Sequence, residues 1–93
     1  MEGYDIETIS FIKSSQYRRE ILQYLSEKIQ TPSDLSKLLK VHFSYVSKIL
    51  SELLKKNLII CLNEDARKSR MYQITELGLI NLKNLKNIEK GND

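Results

Sequence analysis

Apolar positions recur every three or four residues through most of the chain and give way to alternation only around residue 60. A helical period interrupted once by a strand period predicts a mainly α fold with one small β-hairpin. Ile6, Ile9 and Ile12, spaced by three, predict a short first helix that Asp5 would cap and that loosens at Ser14-Ser15. Tyr17 to Glu27 reads as a second helix with Ile21, Leu22 and Leu25 on its core side. Thr31-Pro32-Ser33-Asp34 announces the third: Thr31 can cap the free backbone N–H groups, Pro32 suits the first helical position and Asp34 can reach back to the cap. Leu35, Leu38 and Leu39 are predicted to point inward from it, and it breaks around Lys40-Val41. His42 or Phe43 begins a fourth helix running through Lys56, in which Val46, Ile49, Leu50, Leu53 and Leu54 follow the spacing of a core face. Asn57 can end it in a left-handed conformation. Leu58 to Leu62 then reads as a strand, Asn63 to Ser69 as a loop, and Met71 to Thr75 as the returning strand, before a last helix from Glu76 to about Glu89.

Two short helices joined by a tight turn, the second leading straight into a hairpin with basic residues at its tip, form a winged helix-turn-helix: a three-helix core, a wing and a C-terminal helix. In that arrangement the fourth helix, about 43–56, presents His42, Phe43, Ser44, Tyr45, Ser47, Lys48 and Ser51 opposite its core stripe. Hydroxyls, an aromatic ring and a lysine can meet base edges, thymine methyls and phosphates in the major groove of double-stranded DNA. Phe43 fits DNA contact and packing of the turn about equally well, and His42 fits a cap or a phosphate contact better than a metal ligand or a general base. Arg67, Lys68 and Arg70, in or beside the 63–70 loop, would stand at the wing, placed to track a phosphate backbone or enter a minor groove.

Composition narrows the classes. Ninety-three residues with 41% hydrophobic content suit one domain over 1–93, helped by dimerisation. The net charge of +3 is a weak signal by itself, but its placement is not: His42 to Tyr72 holds six cations against three anions, a local net charge equal to that of the whole chain. Arg18 and Arg19 would add to that face if the fold brings them near. In the last helix Leu77, Leu79, Ile80, Leu82, Leu85 and Ile88 cover well over half the circumference at about 100° per residue. Leu79, Leu82, Leu85 and Ile88, with Ile6 and Ile9 of the first helix, are therefore predicted to face a second copy in a homodimer. The alternative is a monomer in which the last helix lies between the first helix and the core.

No apolar run approaches the roughly 20 residues a bilayer span needs, and Glu2, Asp5 and Glu7 stand where a signal peptide carries positive charge, so a cytoplasmic protein is expected. Lone Cys61 and lone His42 give neither a disulfide scaffold nor a metal-ligand set, and Cys61 in an apolar strand reads as a core thiol. No Gly-rich phosphate loop, apolar carboxylate pair or nucleophilic triad is present, which argues against an enzyme and leaves no cofactor to name. A protein-docking module with Phe43 and Tyr45 as anchors is the remaining alternative to a DNA reader.

Ser15, Tyr17, Arg18, Ile21, Leu22 and Leu25, then Thr31-Pro32-Ser33, Leu35 and Leu38, then Val46-Ser47-Lys48, Leu50 and Leu53, then Leu58-Ile59 and Arg70-Met71-Tyr72-Gln73-Ile74-Thr75-Glu76-Leu77-Gly78 resemble archaeal winged helix-turn-helix transcriptional regulators of the broad group that includes the MarR and ArsR families. The resemblance spans roughly Ile9 to Leu82. It implies a homodimeric DNA-binding repressor or activator with Phe43, Ser44, Tyr45, Ser47 and Lys48 in the major groove and Arg67 to Arg70 as the wing. Lys40 and Asn57 depart from the glycines common in the family, and the paired cysteines of metal-sensing ArsR members and the additional helices that shape a ligand pocket in larger MarR proteins are missing. No effector site can be named.

Overall fold

A computed structural model describes residues 6–91. Its elements are α1 (Ile6–Lys13), α2 (Gln16–Glu27), α3 (Pro32–Leu39), α4 (Phe43–Lys55), β1 (Ile59–Cys61), β2 (Tyr72–Ile74) and α5 (Glu76–Gly91). Five helices and one antiparallel hairpin among the described residues are the architecture that the period of the apolar residues predicts.

Each boundary has a local cause. Asp5, the expected cap of α1, lies outside the described residues. Ser15 caps α2 by accepting from the Arg18 N–H at 3.3 Å. At α3 the capping box is complete: the Thr31 hydroxyl accepts from the Asp34 N–H and the Asp34 carboxylate accepts from the Thr31 N–H, both at 3.1 Å. The Thr31 backbone N–H, and after it the Thr31 hydroxyl, hold the Asp34 carboxyl below its ordinary pKa, with smaller help from Lys28 and Lys37. Lys40 (φ 58°) and Asn57 (φ 61°) take the left-handed conformation at the ends of α3 and α4, so the turns that glycine commonly makes are present without it. Thr75 opens α5 with its hydroxyl accepting from the Gly78 N–H at 3.0 Å.

The core is one cluster drawn from all seven elements, including Ile12, Leu22, Leu35, Leu50, Leu58, Tyr72 and Leu85. β1 and β2 pair in register Ile59↔Ile74, Ile60↔Gln73 and Cys61↔Tyr72. Buried Gln30 extends the sheet by an isolated bridge, exchanging two backbone hydrogen bonds with Tyr72 at 3.3 and 2.9 Å. A single bridging residue leaves no alternation, so the sequence pattern gave no sign of it.

Two expectations change. Leu38 is exposed, not inward, because the eight-residue α3 turns only Leu35 fully into the core and Leu39 partly. Of the six residues expected at a dimer face, Ile9, Leu82 and Leu85 are buried within their own chain, at 5%, 3% and 0% exposure. The reason is that α1 and α2 both pack on α5 and cover most of its broad apolar arc. Ile6 and Leu79 stay exposed, at 63% and 45%, and Ile88 is half-buried.

Candidate nucleic-acid interface

The α3–α4 turn sets the geometry. After left-handed Lys40, the Ser36 hydroxyl donates to the Val41 carbonyl at 2.6 Å and the Val41 N–H donates back to the Ser36 carbonyl at 3.3 Å, which closes the corner. His42 then caps α4, its Nδ1 accepting from the Ser44 N–H at 3.1 Å. The same Nδ1 lies 2.8 Å from the Ser44 hydroxyl. With Val46, Ile49, Leu50 and Leu53 buried, the helix turns His42, Phe43, Ser44, Tyr45, Lys48 and Ser51 outward, while Ser47 is half-buried. Phe43 is 49% exposed and Tyr45 39%, the latter edge-on to Tyr17 of α2 at 5.5 Å.

The wing is held by side chains that cap its loop. Asn63 Oδ1 accepts from the Met71 N–H at 2.7 Å, and Asn63 Nδ2 donates to the Ser69 carbonyl at 3.3 Å. Arg70 folds back across the loop, donating through Nε to the Ala66 carbonyl at 2.8 Å and through Nη2 to the Glu64 carbonyl at 3.0 Å. Exposed Arg67 and Lys68 are left as the outward cations of the tip.

Between α4 and the wing lies a cleft of about 690 Å³. Phe43, Ser47 and Ser51 form one wall and Arg67, Lys68 and Arg70 the other. Six of the candidate residues are thus brought onto one concave surface from two separate elements. A smaller hollow of about 280 Å³ on the other flank of α4 collects Tyr45, Lys48 and Arg18 with Glu52 and the Ser14-Ser15 corner. His42 and Ser44 sit at the exposed start of the helix between them.

Arg18 is nearby but engaged. Its Nε lies 3.1 Å from Glu52 Oε1, and its Nη1 donates to the Phe11 carbonyl and the Ser14 hydroxyl. Arg19 pairs with Glu89 of α5 at 2.7 Å. Sequence reasoning missed that Thr31, Pro32 and Ser33 of α3 also line the main cleft. The capping box marked that helix start, but nothing local in it indicates which later segment it will face.

Among the described residues, no group of three His, Cys, Asp or Glu side chains is arranged to hold a metal ion. Among the described residues, no helix is long and apolar enough to cross a membrane.

A family model described as winged helix-turn-helix matches residues 15–92. No curated protein matches the chain. Among solved structures, a MarR-family transcription regulator superimposes with a TM-score of 0.73 at 26% identity, covering 84% of this chain and 53% of its own. BldR from Sulfolobus solfataricus gives 0.73 at 20% identity, with 83% and 56% covered. MepR from S. aureus, solved as a DNA complex, gives 0.74 at 19% identity, with 91% and 73% covered. The chain therefore spans little more than half the length of the first two.

Proposed function

Because the chain belongs to the winged helix-turn-helix family, whose model covers residues 15–92, we propose that it is a sequence-specific, double-stranded-DNA-binding transcription regulator of the MarR type that acts as a homodimer in the cytoplasm. The observation that carries this reading is the cleft in which the outward face of α4 and the cationic wing confront each other. α4 enters the major groove, with Phe43, Ser44, Tyr45, Ser47 and Ser51 against base edges and thymine methyls and Lys48 on a flanking phosphate. His42, capping the helix through Nδ1, turns its other ring nitrogen to a phosphate or base at the helix tip. Arg67 and Lys68 follow the neighbouring backbone, and Arg70 keeps the loop in the shape that lets them do so.

The MarR-family neighbour at 26% identity and the MepR structure solved with DNA support the reading. Placement among archaeal regulators and beside the ArsR family rests on the motif resemblance alone. Exposed Ile6 and Leu79, with half-buried Ile88, are the residues left to meet a second copy. A palindromic site with half-sites about 34 Å apart follows from two-fold symmetry. No step of this reading requires catalysis or a cofactor.

A second reading, a protein-docking module, draws on exposed Phe43 and Tyr45 and on the outer face of the wing, where Ile60, Leu62 and Met71 are 46%, 42% and 40% exposed. One experiment separates the two: fluorescence anisotropy with a duplex enriched from a randomised pool and with its shuffled counterpart, at two salt concentrations. A preference for the enriched duplex that persists at higher salt supports the regulator. Equal and steeply salt-dependent binding makes it a non-specific binder, and absence of binding favours the docking module.

A further inference from the structure

Three helices converge on one cation. Arg18, in the first turn of α2, reaches Glu52 of α4 through Nε at 3.1 Å and the Phe11 carbonyl at the end of α1 through Nη1 at 2.9 Å. The same Nη1 meets the Ser14 hydroxyl at 2.8 Å, and the guanidinium carbon stands 4.0 Å from the centroid of the Phe11 ring. Lys56, at the end of α4, approaches that ring as well, at 5.3 Å. Phe11 and Arg18 together therefore join α1 and α2 to the last two turns of the helix that carries the proposed reading face.

We propose that Arg18 is a positioning residue, which with Glu52 and Phe11 fixes the rotation of α4 and so aims Tyr45 and Lys48 at the groove, and that it is not itself a phosphate contact. The proposal rests on the DNA-reading function above. Glu52 follows Lys48 by four residues and so lies on the same side of the helix one turn on. Pinning the Glu52 carboxylate fixes the side of the helix on which Lys48 emerges. Both residues, with Tyr45 and the Ser14-Ser15 corner, line the hollow beside Arg18. A guanidinium already paired with a carboxylate and bonded to a carbonyl has less charge to offer DNA, so little counterion release is to be gained from it. Its planar fork suits simultaneous contacts with a carboxylate, a carbonyl and a ring face in a way that a lysine ammonium does not. α1 also packs along α5, so the clamp ties the reading helix to the part of the chain where the second copy is proposed to bind.

The test uses the full chain with Arg18→Met and Glu52→Gln, each read by anisotropy on the enriched and shuffled duplexes across a salt series. The expected result is that both variants weaken the enriched duplex about tenfold and the shuffled duplex by less, and that they lower the slope of affinity against salt alike, since both mis-aim Lys48 together with Tyr45. Arg18→Met lowering the slope by about one while Glu52→Gln leaves it unchanged would make Arg18 a phosphate contact and overturn the proposal. Unchanged affinity for both duplexes overturns it too. A wild-type protein that prefers neither duplex refutes the proposed function instead. The clamp is then decided without DNA, by the amide NMR shifts of Tyr45 to Ser51: both variants move them if the clamp sets the helix, and unmoved shifts overturn it. Should Arg18→Met fail to fold, Glu52→Gln, which removes one charge and keeps the side-chain shape, carries the test.

Discussion

Lys48 and Arg67 are exposed, and neither is in an ion pair among the described residues. Changing either to Ala is expected to weaken binding to every duplex alike and to lower the salt slope by about one. A loss confined to one sequence would show that the side chain reads a base. Arg70→Lys keeps the charge and removes the fork that spans the Ala66 and Glu64 carbonyls. It is expected to weaken binding several-fold and raise hydrogen exchange in the 63–70 loop, whereas unaltered exchange would make Arg70 only a charge. At Asp34 the folded pKa lies below the ordinary value of 3.8, so folding favours the ionised form. Its stabilising contribution is complete above that value and is lost as pH falls through the lower, folded one. The gap in melting temperature between wild type and Asp34→Asn is therefore expected to close as the solution is acidified below pH 3.8; a constant gap would contradict the capping account. Thr31-Pro32-Ser33-Asp34 was legible in sequence because a capping box is complete within four residues. The fates of Arg18 and Arg19 were not, since their partners lie 34 and 70 residues away and a charge carries no local mark of what it will meet.

Helices and hairpin were legible because each is long enough to show its period, and what was misread or missed within an element lies where the element is too short to show one. The single-residue bridge at Gln30 and the outward Leu38 are of that kind. The seat of the wing is another case: its dependence on Gly78 shows only in three dimensions. A Cβ there would collide with the Leu58 carbonyl oxygen and come within 2.7 Å of Ile74 Cγ1. Backbone cannot yield as a flexible side chain does, so Gly78→Ala must push α5 off the base of the hairpin. Overpacking of this sort costs about 1–3 kcal/mol, which in a domain of this size lowers the melting temperature by roughly 4 °C or more. A thermal scan checks the figure, and an unshifted midpoint would mean that α5 is not seated on the wing as described.

For the whole molecule, what the sequence left open was which neighbour would cover the broad apolar arc of α5. Periodicity gives the width of such an arc and says nothing of its occupant. α1 and α2 cover it where Leu82 and Leu85 point, and leave Leu79 outside. In the proposed dimer that division separates folding from association, and two substitutions on one helix can test it. Leu85→Ala empties a site at 0% exposure and is expected to destabilise the fold by about 2–5 kcal/mol, seen as a lower urea midpoint. Leu79→Glu adds a charge where the side chain is 45% exposed, so it should leave the fold nearly as stable and act on assembly alone. If α1 and the start of α5 meet a second copy, sedimentation will show Leu79→Glu as a monomer where the wild type is a dimer. Losing the second half-site then weakens binding to a palindromic duplex far more than to a single half-site. A Leu79→Glu protein that still sediments as a dimer would move the interface to another face, with Ile60, Leu62 and Met71 on the wing as the next apolar surface to alter.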